Sequence, residues 1–302
     1  MSEYQLQTIS WPGSYGEEAK PRMGFFTDTS ICIGCKACEV ACKEWNEVPE
    51  DGLNFTGHSF DNTGHLGADT WRHVAFIEQR KPLGVESATD SFVQAAARMQ
   101  VAEEAALAGE RDAEGLRWLM SSDVCKHCTS AACLEVCPTG ALFRTEFGTV
   151  VVQPDVCNGC GYCVPACPFG VLDQRKGDGR VWKCTLCYDR LKDDLEPACA
   201  KACPTNSIQF GELGELRERA DLRVVELHER GVPEARLYGE SPDNGVGGFG
   251  AFFLLLDEPE TYGLPPDPTS TTRDLPRMLK RAGLAIGVMG AGLLVSFVGE
   301  RR

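Results

Sequence analysis

Cys157–Pro168 reads C-N-G-C-G-Y-C-V-P-A-C-P, and no other stretch restricts the fold as much. Cys157, Cys160 and Cys163 stand at spacings of three on a glycine-containing loop, and Cys167 follows four residues later, beside Pro168. A loop this tight can wrap three thiolates around one corner of an iron–sulfur cube. The fourth cysteine lies on the segment leaving the loop and points away from that cube. Where two cubes share a fold, the fourth cysteine of such a run binds the other cube. One run therefore demands a second.

Three more loops answer it. Cys32, Cys35, Cys38 and Cys42 repeat the spacing. Cys125, Cys128, Cys133 and Cys137 repeat it with two extra residues before the third cysteine, and Pro138 follows. Cys184, Cys187, Cys199 and Cys203 carry a longer excursion before the third, and Pro204 follows. The four loops use all 16 cysteines, so four [4Fe–4S] clusters account for every thiol. Zinc is the competing reading, since paired C-x-x-C also builds zinc sites. Zinc needs neither the third cysteine at this spacing nor the fourth before proline. Disulfides fit less well, because closely spaced thiols on one loop have poor bridging geometry.

Reciprocal ligation requires the loops to pair. Only a short hairpin separates the second and third loops, so these two form one unit, and the first and fourth must form the other. The expected ligand sets are Cys32, Cys35, Cys38 with Cys203; Cys42 with Cys184, Cys187, Cys199; Cys125, Cys128, Cys133 with Cys167; and Cys137 with Cys157, Cys160, Cys163. The expected fold is α+β, with two ferredoxin-like double [4Fe–4S] domains, one inserted in the other, and a C-terminal transmembrane helix. Residues 1–122 and 170–265 would make the discontinuous domain and 123–169 the inserted one. Residues 266–281 would be a linker and 282–298 the anchor.

The formal charge is −14, from 30 basic and 44 acidic residues. An oxidised four-thiolate cube carries about −2, so four bring the total to roughly −22. A nucleic-acid partner wants a basic face, so none is expected. The thiols must stay reduced until clusters are inserted, which places assembly in the cytoplasm. The first twenty residues have no basic segment followed by an apolar one, so no signal peptide is expected.

Along the chain, residues 1–24 read as an irregular arm and 49–70 as a loop rich in Gly, Asn, Asp and Thr. Trp71–Gln79 alternates as a strand does, and Arg117–Ser121 forms another. Residues 85–115 lack cysteine, and Phe92–Ala108 has helical spacing. This insertion is read as an amphipathic helix packed on its own domain, with a docking surface as the alternative. Ala141–Thr145 and Thr149–Val152 form a hairpin around Glu146-Phe147-Gly148. Val171–Val181 is a charged excursion. Glu215–Glu229 is a helix with Leu216 and Val224–Leu227 inward, and Phe249–Leu256 is an apolar strand.

Ala282–Val298 is charge-free, at the lower length limit for crossing a bilayer. Its Gly283-x-x-x-Gly287, followed by Gly290, Ala291 and Gly292, would let another membrane helix approach closely. A buried core helix and an interfacial helix are the alternatives. A nucleotide loop is discounted, because no strand precedes these glycines.

The residues also carry a resemblance. C-I-G-C-K-A-C-E-V-A-C-K-E-W-N at 32–46, C-G-Y-C-V-P-A-C-P-F at 160–169, V-W-K-C-T-L-C-Y-D-R at 181–190 and E-P-A-C-A-K-A-C-P-T at 196–205 resemble the iron–sulfur beta subunit of membrane-bound respiratory formate dehydrogenases. The downstream G-V-G-G, Y-G-L-P-P-D-P at 262–268 and the apolar tail are similar too; the 85–115 insertion departs from the pattern. Beta subunits of nitrate, dimethyl sulfoxide and polysulfide reductases and of some hydrogenases share the cysteine loops.

The resemblance implies an electron-transfer subunit without catalysis of its own. It would take electrons from a molybdenum- or tungsten-pterin alpha subunit that oxidises formate. It would pass them through four clusters to a cytochrome b-type gamma subunit and a quinone. It also implies that the body sits on the outer face of the membrane. Against this, Arg277, Lys280 and Arg281 outnumber Arg301 and Arg302, which favours the cytoplasmic face. A hydrogenase or another molybdopterin reductase with the same wire, and a zinc-stabilised membrane scaffold, are the alternative functions. Lys36, Lys43, Lys126 and Lys183 lie beside ligands and could offset cluster charge, though each alone reads as solvated. His127 would displace a cysteine if it ligated and is not taken as a ligand. No C-x-x-C-H occurs, so no c-type haem is expected. Trp45, Trp71 and Trp182 read as core residues.

Overall fold

A computed structural model describes residues 20–52, 57, 60, 63–79 and 117–299. The arm up to residue 19 and the 85–115 insertion lie outside the described residues.

The first strand among the described residues lies inside a four-stranded sheet. Met23–Asp28 (β1) lies between Ile208–Glu212 (β8), antiparallel to it, and Ala251–Leu255 (β10), parallel to it; Arg236–Tyr238 (β9) closes the far edge. β10 reads A-F-F-L-L and every residue is buried, as expected of a strand covered on both faces. β1 splits its side chains by the two-residue period of a strand. Phe25 enters the core that holds most of the cysteines, and Phe26 enters a second hydrophobic core on the other side. There Phe26 stacks on Phe252 at 5.3 Å.

The apolar core is roofed by Leu213–Glu229 (α6), which packs on β1. Its inward face is Leu213, Leu216, Ala220 and Leu227, at helical spacing, with Arg217 fully buried beside them. The expected inward run 224–227 is corrected: Val224 only packs at the margin and Val225 is exposed. Strict 3.6-residue periodicity cannot bury four consecutive positions of a surface helix.

The antiparallel β1–β8 pairing decides how the cysteine loops meet. Thr27 faces Ile208 across the ladder. The first loop begins just after β1, and Cys203 lies just before β8, so the sheet register directs Cys203 towards Cys32. Arg72–Gln79 (β2) pairs antiparallel with Arg117–Val124 (β3), from Arg72 opposite Val124 to Gln79 opposite Arg117. The second loop starts directly after Val124, so Arg72 is held at its entrance. Leu142–Arg144 (β4) and Val150–Val152 (β5) form the expected hairpin. The charged excursion contains a small ribbon, Asp173–Gln174 (β6) with Val181–Trp182 (β7).

Helices place the later cysteines of each loop. Ala37–Trp45 (α1) carries Cys38 and Cys42, Ala132–Glu135 (α2) carries Cys133, Cys163–Ala166 (α3) carries Cys163, and Ala198–Lys201 (α5) carries Cys199. Tyr188–Lys192 (α4) follows Cys187. α1 packs against α5, the contact through which the first and fourth loops meet.

The Pro/Thr/Asp-rich stretch before the last helix is laid along the body. The Ser270 N–H donates to Gly245 O at 2.9 Å, and Ser270 and Thr272 are buried. Leu275–Gly299 (α7) then runs 25 residues. Among the described residues no helix is long and apolar enough to cross a membrane. The side chains at 294, 295, 297 and 298, within the charge-free run, lie outside the described set.

Candidate iron–sulfur sites

The four loops share a backbone device. The residue before the second cysteine has positive φ in every one: Gly34 at 65°, His127 at 44°, Gly159 at 71° and Leu186 at 58°. This turns the chain sharply enough to aim both thiols inward. Glycine adopts that conformation freely, whereas His127 and Leu186 are held there at a cost of roughly 1–2 kcal/mol each. His127 is therefore a loop residue. It is buried, and its Nδ1 accepts the Val150 N–H at 3.1 Å.

The structure brings together the quartets expected from reciprocal pairing. Cys32, Cys35, Cys38 and Cys203 line one cavity, together with Val74 and Ser122. Cys137, Cys157, Cys160 and Cys163 line another, together with Leu142 and Val181. In the second quartet, burial pushes the Cys42 thiol well up, and Cys184, Cys199 and Cys187 push it further. Burial likewise raises Cys187 to about 11, with Cys199 adding to it. In the third, burial drives Cys128 well up, followed by Cys125, Cys133 and Cys167. Cys133 reaches about 12, mainly through burial. We call these quartets the first to fourth sets, following the order of the ligand sets expected from the sequence.

The sets also neighbour one another in that order. Cys199 of the second set acts on Cys38 of the first. After burial, Cys125 of the third set is the largest influence on Cys184 of the second. Cys163 of the fourth acts on Cys133 of the third. The two ends are open: Cys35 and Cys160 are the exposed cysteines, and the thiols of the middle sets are buried or half-buried.

Burial and neighbouring thiols hold Cys42, Cys128 and Cys133 in their protonated forms. A metal group that replaces the protons relieves that repulsion and takes thiolates as ligands. The donors around the thiols suit this chemistry. The Asn46 amide lies 3.8 Å from the sulfurs of both Cys42 and Cys187. Thr139 and Thr205 hydroxyls lie 3.7 and 3.8 Å from Cys137 and Cys203. Burial raises Cys137, but the backbone amides of Leu142, Thr139 and Ala141 and the Thr139 hydroxyl outweigh it, so this thiol sits below its ordinary range. Such donors to cluster sulfurs are the ones that tune potential.

Two of the four lysines depart from the solvated reading. Lys126 and Lys183 are each 1% exposed. Lys126 pairs with Asp123 and lies 4.8 Å from the centre of the Phe253 ring. Lys183 donates to the carbonyls of Val150 and Cys184. Both lysines lower nearby thiol pKa values, Lys183 at Cys133 and Lys126 at Cys128. Lys36 instead pairs with Glu39 at 3.3 Å, and Lys43 donates to Pro49 O at 2.9 Å. Arg72, which no motif marked, is buried among the thiols. Burial pulls its pKa down, but Cys199, Cys38, Cys184 and Cys42 more than restore it, so it stays charged. Of the tryptophans, Trp71 is buried and stacked on Trp182 at 6.3 Å. Trp45 is corrected: it is 46% exposed, held at the surface by a 2.8 Å bond to Asp189 and by Arg190 over its ring.

Two profiles, each described as a 4Fe-4S dicluster domain, match residues 31–141 and 116–213. Together with the four thiol quartets they define a protein with two ferredoxin-type double-cluster units and four [4Fe–4S] clusters. The sequence is 36% identical over 295 residues to the iron–sulfur subunit of the nitrate-inducible formate dehydrogenase of Escherichia coli, covering 95% of this protein and 88% of that one. It is 38% identical over 261 residues to the formate dehydrogenase iron–sulfur subunit of Haemophilus influenzae, covering 85% and 73%. The B polypeptide of the anaerobic dimethyl sulfoxide reductase of Escherichia coli is 32% identical over 203 residues, covering 67% and 80%. This protein belongs to the family of formate dehydrogenase iron–sulfur subunits. It is an electron-transfer subunit of an oxidoreductase complex and is not catalytic on its own.

Proposed function

We propose that this chain carries electrons from a molybdenum- or tungsten-pterin subunit that oxidises formate towards a cytochrome b-type membrane subunit and quinone. The observation that carries the reading is the unbroken row of four thiol quartets with an exposed cysteine at each end. When bound, the clusters supply one-electron redox steps. The protein's own residues hold the clusters in a row, keep water from the middle two and offset their charge. In this reading the four quartets are the ligand sets. The first and second belong to the discontinuous domain, 1–122 and 170–265, and the third and fourth to the inserted domain, 123–169.

Adding formate to the anaerobic, detergent-solubilised native complex is expected to bleach visible absorption and raise cubane EPR signals. Reduction by dithionite but not by formate, in a complex shown to be intact, would assign the wire to a different catalytic subunit. The dimethyl sulfoxide reductase relative makes that the second reading.

The reading includes α7 as a single-pass anchor, with the body on the outer face. Leu284, Ile286, Val288, Met289 and Leu293 are all more than 60% exposed, an apolar surface that lipid would cover. Gly283, Gly287, Gly290 and Gly292 have open space around them, which leaves room for a partner helix. Truncation after Arg281 is expected to release the protein from washed membranes or from its membrane partner. Full retention of the truncated form in both would remove the anchor role.

A further inference from the structure

We propose that Arg72 is a fixed cation bridging the first two clusters and raising the reduction potentials of both together. This rests on the ligand sets proposed above. The side chain is 2% exposed. Its Nη2 donates to Cys199 Sγ at 3.3 Å. Its Nη1 donates to Ser122 O at 3.2 Å and lies 3.3 Å from Ser122 Oγ. Ser122 Oγ is in turn 3.2 Å from Cys38 Sγ. One planar group therefore touches a thiol of the second set directly and a thiol of the first through a single hydroxyl. The guanidinium carbon also lies 4.9 Å from the centre of the Phe25 ring.

Among the described residues no carboxylate pairs with Arg72. A buried guanidinium keeps its proton under all working conditions, so its charge must be met by another negative group. The sulfur ligands and the net negative charge of the two clusters are what faces it. An electron arriving on either cluster adds negative charge beside this cation. Charge and hydrogen bonds at the sulfurs both favour the reduced form. Arginine suits the position because its rigid fork can meet two acceptors at once, which an ammonium on a flexible stem cannot reproduce.

The test is potentiometric EPR of the anaerobic native complex, with iron content measured alongside. Cys35→Ser and Cys42→Ala variants first identify the signals of the first and second clusters. If these two variants perturb other signals, the ligand sets themselves fail and Arg72 is not at issue. With the signals identified, Arg72→Gln is expected to lower both potentials. The expected change is about tenfold in each one-electron equilibrium constant, or about 59 mV. Ser122→Ala is expected to lower the first potential and spare the second. Arg72→Lys keeps the charge but loses the fork, so the two potentials are expected to separate, one falling more than the other. The fourth cluster's signal serves as the unmoved reference.

A full iron complement with both potentials unchanged in Arg72→Gln would overturn the proposal and leave Arg72 a packing residue. If Arg72→Gln cannot hold its clusters, Arg72→Lys decides. Two potentials left where they stood would remove the bridging role.

Discussion

A Cys42→Ala variant is expected to lose the second cluster, about a quarter of its cluster iron, and to keep the first. By position Cys42 belongs with Cys32, Cys35 and Cys38. In the proposed ligand sets it belongs to the second. One helical turn separates it from Cys38 on α1, a rise of about 6 Å, enough to carry the thiol past the first cavity. The Asn46 amide lies at 3.8 Å from both the Cys42 and the Cys187 sulfur, so two thiols from loops far apart in sequence share a single donor. Iron analysis and EPR of the anaerobic complex read the result directly. Formate is then expected to reduce clusters only up to the gap, and quinone reduction is expected to fall to background. Loss of the first cluster with survival of the second would show that each loop ligates locally, and the crossed assignment would be abandoned.

Phe252→Ala is expected to destabilise the fold by about 3–5 kcal/mol, the usual result of emptying a fully buried aromatic site. Phe252 has no exposed surface and stacks on Phe26 across the parallel β1–β10 pair. The damage should not spread evenly. β1 and β8 together bring Cys32 to Cys203, so loosening β1 opens the first set before the fourth, which rests on the β4–β5 hairpin. Bleaching of the holo-complex in rising guanidinium measures this. The first cluster's EPR signal is expected to vanish at a lower denaturant concentration than in the parent, with the fourth set's signal outlasting it. Coincident loss of both signals at the parent's midpoint would contradict the role given to this sheet.

The cysteine spacings carried most of what the structure shows about the sites. Spacing is a local property, and each loop needs three thiols within a few residues, so the loops stand out in any reading. The proposed crossing rests on the same spacing, because a fourth cysteine aimed away from its own cluster needs a partner loop. What holds the partners together was not legible. β1 pairs with β10 across more than two hundred residues, and nothing in M-G-F-F-T-D names its neighbour. The left-handed residues were visible only at Gly34 and Gly159. His127 and Leu186 take the same conformation without the residue that advertises it. The buried cations escaped for another reason. Lysine and arginine are almost never buried without a counter-charge, so Lys183 read as a solvated residue and Arg72 was not singled out. On the proposed ligand sets the counter-charge of Arg72 is a cofactor, which has no letter in the sequence.

Crossed ligation also imposes an order of completion on the protein as it leaves the ribosome. On the proposed sets, the fourth quartet is complete once Cys163 has been made, and the third needs Cys167. The second waits for Cys199, and the first, whose earliest thiol is Cys32, waits for Cys203. The row therefore closes from its far end backwards, and the cluster whose ligands appear earliest is the last that can be finished. A ribosome that stops short of residue 203 leaves a protein with an open cavity at one terminus of the wire. Such a product could hold iron and yet could not pass current, and the missing first cluster would mark it as unfinished.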